Sequence, residues 1–139
     1  RTSCVFSSHG NNFVKTMLRL MKERTDLNIV GDQKGRPTYA KDLALATIRM
    51  IVQLNEGKLF RGVYHYANAG ETTWFAFAEA IKTIAGLSCH LNAITTEAFP
   101  TPAKRPQYSV LDTQRIENEL NISIPSWQDA LDRCYNLLK

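Results

Sequence analysis

The chain has 139 residues, the length of one domain or of one large piece of a bigger one. With 44% hydrophobic and 22% charged residues it is too apolar for a disordered chain, and no apolar run approaches the roughly 18 residues of a membrane-spanning helix. That leaves no membrane partner expected; a net charge of +4 suits an anionic ligand, but the cations are scattered, without an arginine-rich tract or an aromatic RNA-binding signature, which speaks against nucleic acid.

Strands and helices are expected to alternate. Thr2–Ser7 (TSCVFS), β-branched and aromatic, predicts a strand. The polar turn SHGNN follows, and Asn12 is placed to cap a helix with Phe13, Val14, Met17, Leu18 and Met21 on one face. Leu27–Val30 predicts a second strand, and the loop GDQKGRPT leads to Thr38 as the cap of a second helix. That helix is expected to bury Leu43, Ala44, Thr47, Ile48, Ile51 and Val52. Val63–Ala67 (VYHYA) predicts another strand, closed by Asn68-Ala69-Gly70. Thr72 or Thr73 then starts a helix with Trp74, Phe77, Ala78, Ile81 and Ile84 on its stripe and Gly86 past its end.

His90–Ile94 predicts a short strand running into TPAKRPQYSVLDT, where Pro102 and Pro106 hold Lys104 and Arg105 on an extended loop. A small helix is expected around Thr113–Leu120. The last helix opens on Ser126-Trp127-Gln128-Asp129, a capping box, with Trp127, Ala130, Leu131, Cys134, Leu137 and Leu138 as its apolar stripe. The alternation predicts an α/β fold with some parallel sheet.

Cysteines 4, 89 and 134 form no C-x-x-C and no disulfide framework, which fits a reducing, cytoplasmic compartment. The histidines are far apart, so no metal site is expected. Ser7, Ser8 and His9 lack an orienting acid and read as a turn that supplies capping hydroxyls. No G-x-G-x-x-G or P-loop is present. Tyr135 and Lys139 make a Y-x-x-x-K pair, but at the frayed end of the terminal helix. Three loops remain, SHGNN, GDQKGRPT and NAGETT. Each follows a strand, and ligands of α/β sheets bind outside the carboxyl ends of strands. Their amides, with Lys34, Arg36, Lys104 and Arg105, suit a nucleotide-sugar site; solvated polar loops are the plain alternative.

The runs RTSCVFSSHGNNFVKTMLRL, VGDQKGRPTYAKDLA, GVYHYANAGETTWFAFAEAI and PTPAKRPQYSVLDTQRI, in that order, resemble the C-terminal half of dTDP-4-dehydrorhamnose reductases, extended short-chain dehydrogenase/reductases. The resemblance implies the last strands and helices of a Rossmann-like parallel sheet plus a small substrate-binding lobe, over residues 1–139. It implies NADPH or NADH as cofactor of the complete enzyme and reduction of the 4-keto group of dTDP-4-dehydro-L-rhamnose. The cofactor loop and catalytic Tyr-x-x-x-Lys would precede residue 1, so no catalytic or cofactor-binding residue is expected here and the chain alone is expected to be inactive. The opening RTSCVFSS, without a methionine, also reads as a piece of a longer chain.

As substrate-binding residues the resemblance and the loop chemistry together point to Lys104 and Arg105 near the diphosphate. Asn12 and Gln33 are expected as polar contacts, and Cys4 at the sugar end. Cys4 stands where the family usually has tryptophan, and Tyr108 where it commonly has asparagine. A non-catalytic regulatory subunit of the same fold, as in the relative that serves methionine adenosyltransferase, is the alternative. An open sheet edge also leaves a homodimer possible.

Overall fold

The computed structural model describes residues 1–139 and is an α/β fold of three two-stranded sheets and five helices. Strand β1 (Val5–Phe6) pairs in parallel with β4 (Thr38–Tyr39), and β2 (Asp26–Val30) in parallel with β6 (His90–Ile94). Strand β3 (Lys34–Gly35) pairs antiparallel with β5 (Thr72–Thr73). The helices are α1 (Phe13–Glu23), α2 (Ala40–Asn55), α3 (Trp74–Ala85), α4 (Gln114–Leu120) and α5 (Trp127–Tyr135).

Helix starts follow their caps. Asn12 accepts from the Lys15 amide, Thr73 from the Ala76 amide and Ser126 from the Asp129 amide, each relieving an orphan donor of the first turn. The reciprocal half of the expected capping box is missing, because the Asp129 carboxylate pairs with Arg133 instead. Gly86 ends α3 at φ 63°, the left-handed geometry glycine adopts without strain. The main core lies where α1, α3 and α5 meet the parallel strands. Phe77 is its centre, against Phe6, Phe13 and Trp127 at ring separations of 5.5–5.7 Å. A smaller core gathers Ala46, Tyr66, Ile116, Leu120 and Ile124 beneath α2 and α4.

Four expectations need correction. The strand expected over Thr2–Ser7 shrinks to Val5–Phe6, because Cys4 sits at φ +49° and bends the chain. Thr38 does not cap α2: it lies fully buried in β4, accepting from the Thr2 hydroxyl, and Tyr39 holds the cap position without a side-chain bond. Residues Val63–Ala67 form no strand, although the Tyr66 amide donates to the Arg1 carbonyl and the Arg1 amino group to the Tyr64 carbonyl. Of the stripe expected to be buried on α2, only Leu43 packs inward, half-buried against the smaller core; Ala44, Thr47, Ile48, Ile51 and Val52 are exposed, and the helix buries Asp42 and Ala46 instead.

Asp42 explains part of that rotation. Its carboxylate, almost wholly buried, takes a two-pronged contact from Arg133 at 2.7 and 2.8 Å and a bond from the Asn68 amide at 2.7 Å. Asn68 in turn accepts from the Tyr39 amide and donates to the Pro125 carbonyl. The guanidinium also lies 5.5 Å from the centre of the Tyr39 ring. Arg133→Ala removes the one cation paired with a buried carboxylate. A fully buried pair broken this way loses about 3–5 kcal/mol; with Arg133 itself part-exposed, about 2–3 kcal/mol is expected. Urea unfolding checks this, and Arg133→Lys, a point charge without the fork, should restore less than half of the loss.

Candidate functional site

The sequence between β2 and α2 doubles back as β3 and β4, and this turn makes the floor of a cleft. Lys34 receives two neighbours. On one side β5 pairs with it; on the other the segment after Pro106 joins, with Lys34 N donating to the Gln107 carbonyl and Ser109 N to the Lys34 carbonyl. The proline-stiffened loop is thus tied at its C-terminal end to β3. The Tyr108 hydroxyl adds a bond to the Glu71 carboxylate at 2.7 Å, reaching the segment that leads into β5.

Two adjoining hollows form the cleft, and Gln33, Trp74 and Arg105 line both. The first is polar and cationic, with Cys4, Lys34, Arg36, Thr72, Thr73 and Ser109 on its walls. Phe13, Met17, Ile29, Val30 and Phe99 make the second apolar. Trp74, the first residue of α3, stands between them with its ring 4.8 Å from that of Phe13.

The charges are one-sided. Lys34, Arg36 and Arg105 line the cleft and no carboxylate does; none of the three cations is in a salt bridge. Arg36 has an internal task, donating to the carbonyls of Asn68 at 3.0 Å and Leu111 at 2.9 Å and to the Thr113 hydroxyl. Lys34 and Arg105 have no side-chain hydrogen bond and are exposed, so they are free to meet an anion. Gln33 is buried, its amide nitrogen held by the Thr96 hydroxyl at 3.1 Å, itself bonded to Asp32. A cationic polar hollow beside an aromatic one suits a ligand with an anion next to a flat ring.

Of the residues singled out in sequence, Cys4, Gln33 and Arg105 meet in this cleft. Lys104 and Asn12 do not line it. In extended chain adjacent side chains point to opposite sides, so Arg105 turning inward carries Lys104 outward. Asn12 is consumed locally: besides capping α1, its Nδ2 donates to the Ser7 carbonyl at 2.8 Å. Ser7 likewise closes the turn with His9. Tyr135 and Lys139 lie outside the cleft, the ammonium 5.1 Å from the Tyr135 ring centre. In sequence Trp74 reads as a residue of the α3 stripe and Thr73 as its cap. That they also form a wall follows from pairing β5 with β3, a contact no local pattern announces.

Burial pushes the Cys4 thiol above its ordinary pKa, and the nearby Arg105 guanidinium opposes that shift. Arg105→Ala should therefore raise the Cys4 pKa further, and Lys104→Ala should leave it in place. The pH profile of iodoacetamide alkylation at Cys4, read by peptide mass against the buried Cys89 and Cys134, checks this. Equal profiles in the two variants would mean that Arg105 does not stand over Cys4.

Comparison with known proteins gives the family of the chain. The family model described as RmlD substrate binding domain matches residues 1–139. The dTDP-4-dehydrorhamnose reductase of Escherichia coli K12 is 43% identical over 145 aligned residues, covering 99% of this chain and 48% of that protein. The spore coat polysaccharide biosynthesis protein SpsK of Bacillus subtilis is 41% identical, with 94% of this chain and 44% of that protein covered. A crystal structure of dTDP-4-dehydrorhamnose reductase from Bacillus anthracis in complex with NADP superposes at a TM-score of 0.86 with 38% identity, over 100% of this chain and 47% of that one. The chain thus spans about half the length of the curated relatives it matches.

Proposed function

The chain belongs to the RmlD substrate-binding domain family, and from that premise we propose that it is the substrate-binding half of an NAD(P)H-dependent reductase that turns dTDP-4-dehydro-L-rhamnose into dTDP-L-rhamnose. Its strands are, on this reading, the last of a Rossmann-like sheet together with a small substrate lobe. The observation that carries the proposal is the one-sided cleft, with Lys34 and Arg105 unpaired beside an aromatic hollow and no acid on its walls. A sugar nucleotide has the matching parts: a diphosphate for the cations, a flat base, and a sugar whose hydroxyls take amide and hydroxyl partners.

The nicotinamide cofactor has no seat of the usual kind in this chain. None of its strand-to-helix turns carries the glycine pattern that lets a backbone approach a pyrophosphate. Cofactor and proton donor belong, in this proposal, to the other half, and the work of these residues is to bind and orient. Arg105 and Lys34 hold the diphosphate, Arg36 fixes the turn on which Lys34 stands, Gln33 offers its amide to the substrate, and Cys4 borders the sugar. Holding the sugar in one pose is itself catalytic, because it converts an encounter into a positioned reaction.

Arg105→Ala in the full-length reductase should weaken dTDP binding by about 1.5–3 kcal/mol, the range of a charge-assisted hydrogen bond. Arg105→Lys should recover part of this, and Lys104→Ala should cost little. Calorimetry at low salt makes the comparison; equal affinity of wild type and Arg105→Ala would remove the diphosphate from this loop. At the sugar end, Cys4→Trp should tighten dTDP-rhamnose by roughly 1–2 kcal/mol, from several tens of Å² of new apolar contact at about 25 cal/mol per Å². Binding of dTDP itself is the control and should stay nearly constant. A sugar nucleotide that gains nothing would place Cys4 away from the sugar.

A further inference from the structure

The loop that carries Arg105 is a strap with two feet, and both stand on Asp32–Lys34. At its start the Asp32 carboxylate accepts from the Thr96 amide at 2.9 Å and the Thr96 hydroxyl at 2.7 Å, and the Gln33 amide donates to that hydroxyl at 3.1 Å. At its end Lys34 N donates to the Gln107 carbonyl at 2.7 Å. The Ser109 amide and hydroxyl donate to the Lys34 carbonyl at 2.9 and 3.1 Å. Between the feet, residues 100–106 make no hydrogen bond outside their own segment; their one bond runs from the Thr101 hydroxyl to the Ala103 carbonyl. A strap held only at its ends takes its direction from them.

The facing wall of the cleft is Thr72, Thr73 and Trp74, from β5 and the first turn of α3. One hydrogen bond joins residues 95–109 to residues 69–85, that of the Tyr108 hydroxyl to the Glu71 carboxylate. Strand register brings the two within reach. Tyr108 lies beside Lys34, Lys34 opposite Thr73, and Glu71 two residues before Thr73 on the same side of its strand. The phenol therefore spans β3 from one neighbour to the other. The bond is charge-assisted, and Glu71 has no other partner. It raises the Tyr108 pKa, so the hydroxyl remains a donor at neutral pH.

We propose that Tyr108 is a positioning residue for the bound anion: by latching to Glu71 it fixes the strap against the α3 wall and so sets the Arg105 guanidinium over the cleft. Tyr108 lines neither hollow and acts without touching the ligand. Pro106, between Arg105 and the tied residues, carries the constraint forward through its fixed φ. That the anion is the diphosphate of a dTDP sugar rests on the reductase reading.

The test is a double-mutant cycle in the full-length protein, with dTDP and, separately, inorganic pyrophosphate as calorimetric titrants at low salt. Tyr108→Phe keeps the ring and removes the hydroxyl. It should weaken both anions roughly fivefold, and less than about twofold when Arg105→Ala is already present, because coupled residues are not additive. Glu71→Gln keeps an acceptor oxygen in place and should stay within about twofold of the parent, whereas Glu71→Ala should match Tyr108→Phe. The pair Tyr108→Phe with Glu71→Ala should bind no more weakly than either alone.

Unchanged affinity in Tyr108→Phe overturns the proposal, and so does an equal loss with and without Arg105. Recovery of affinity in the Tyr108→Phe, Glu71→Ala pair also overturns it, since the freed carboxylate would then have been competing for the cations with the strap in place. Amide exchange separates a lost latch from general unfolding. Exchange at Ser109 should quicken at least about threefold in Tyr108→Phe while the α5 amides keep their rates; quickening throughout the chain would make the effect one of stability and end the proposal. Binding of pyrophosphate without dTDP would reject the reductase reading and leave the pyrophosphate cycle to decide the latch. A parent protein that binds neither anion would reject both.

Discussion

Asp42 organises this molecule from a place where a carboxylate is costly to bury. An isolated buried charge is unfavourable by several kcal/mol, so it persists only where partners hold it from several sides. Here Arg133 comes from α5, Asn68 from the segment before β5, and the carboxylate itself from the first turn of α2. Asn68 passes the constraint on. Its side chain fixes the Tyr39 amide at the start of α2, and its carbonyl accepts from Arg36 on the turn that floors the cleft. Three segments far apart in sequence are thereby locked around one acid, and Lys34 stands two residues from the last of these bonds.

That network also accounts for what sequence could and could not reveal. Caps and stripes are local, and Asn12, Thr73, Gly86 and Ser126 are all legible, as are the cores of α1, α3 and α5, save Leu137, which lies exposed past the end of α5. α2 is different because it has two apolar faces. Periodicity finds the richer stripe, Ile48, Ile51 and Val52, but it is Asp42, a residue that pattern rules count as polar, that turns the other face inward. Val63–Ala67 has strand composition and lacks a full complement of partners, since a strand is a property of pairs. Cys4 reads as mid-strand, and its left-handed φ is set by how the chain turns from the Arg1–Tyr64 contact towards β4.

For the cleft, residue type was legible and direction was not. Lys104 and Arg105 are equivalent in composition, and only the tie of residues 107–109 to β3 decides which of them turns inward. Gln33 is legible as an amide on a loop. Its burial depends on Thr96, more than sixty residues away, which Asp32 in turn positions. Trp74 has the opposite history: its place on a helix stripe is correct, and its position at the first turn of α3 gives it one face for the core and one for the cleft.

The cations of the cleft come from separate pieces of chain: Lys34 from β3, Arg36 from the turn after it, and Arg105 from the proline-stiffened loop. Free of carboxylates, they repel one another mildly, and exposure to water keeps that repulsion small. An anion placed between them would replace repulsion with attraction and join β3 to the loop. Binding and folding are then linked, because a ligand that binds only the assembled cleft adds RT ln(1 + [L]/Kd) to stability, about 2.7 kcal/mol at a hundredfold excess over Kd. Prolines at 102 and 106 lower the cost of this closure by restricting the free loop beforehand. Tyr108 acts in the same direction through Glu71, anchoring the loop from outside the cleft without adding an acid to its walls. The loop is thus held by apolar restriction and by a neutral hydroxyl, and Arg105 keeps its guanidinium free of any carboxylate.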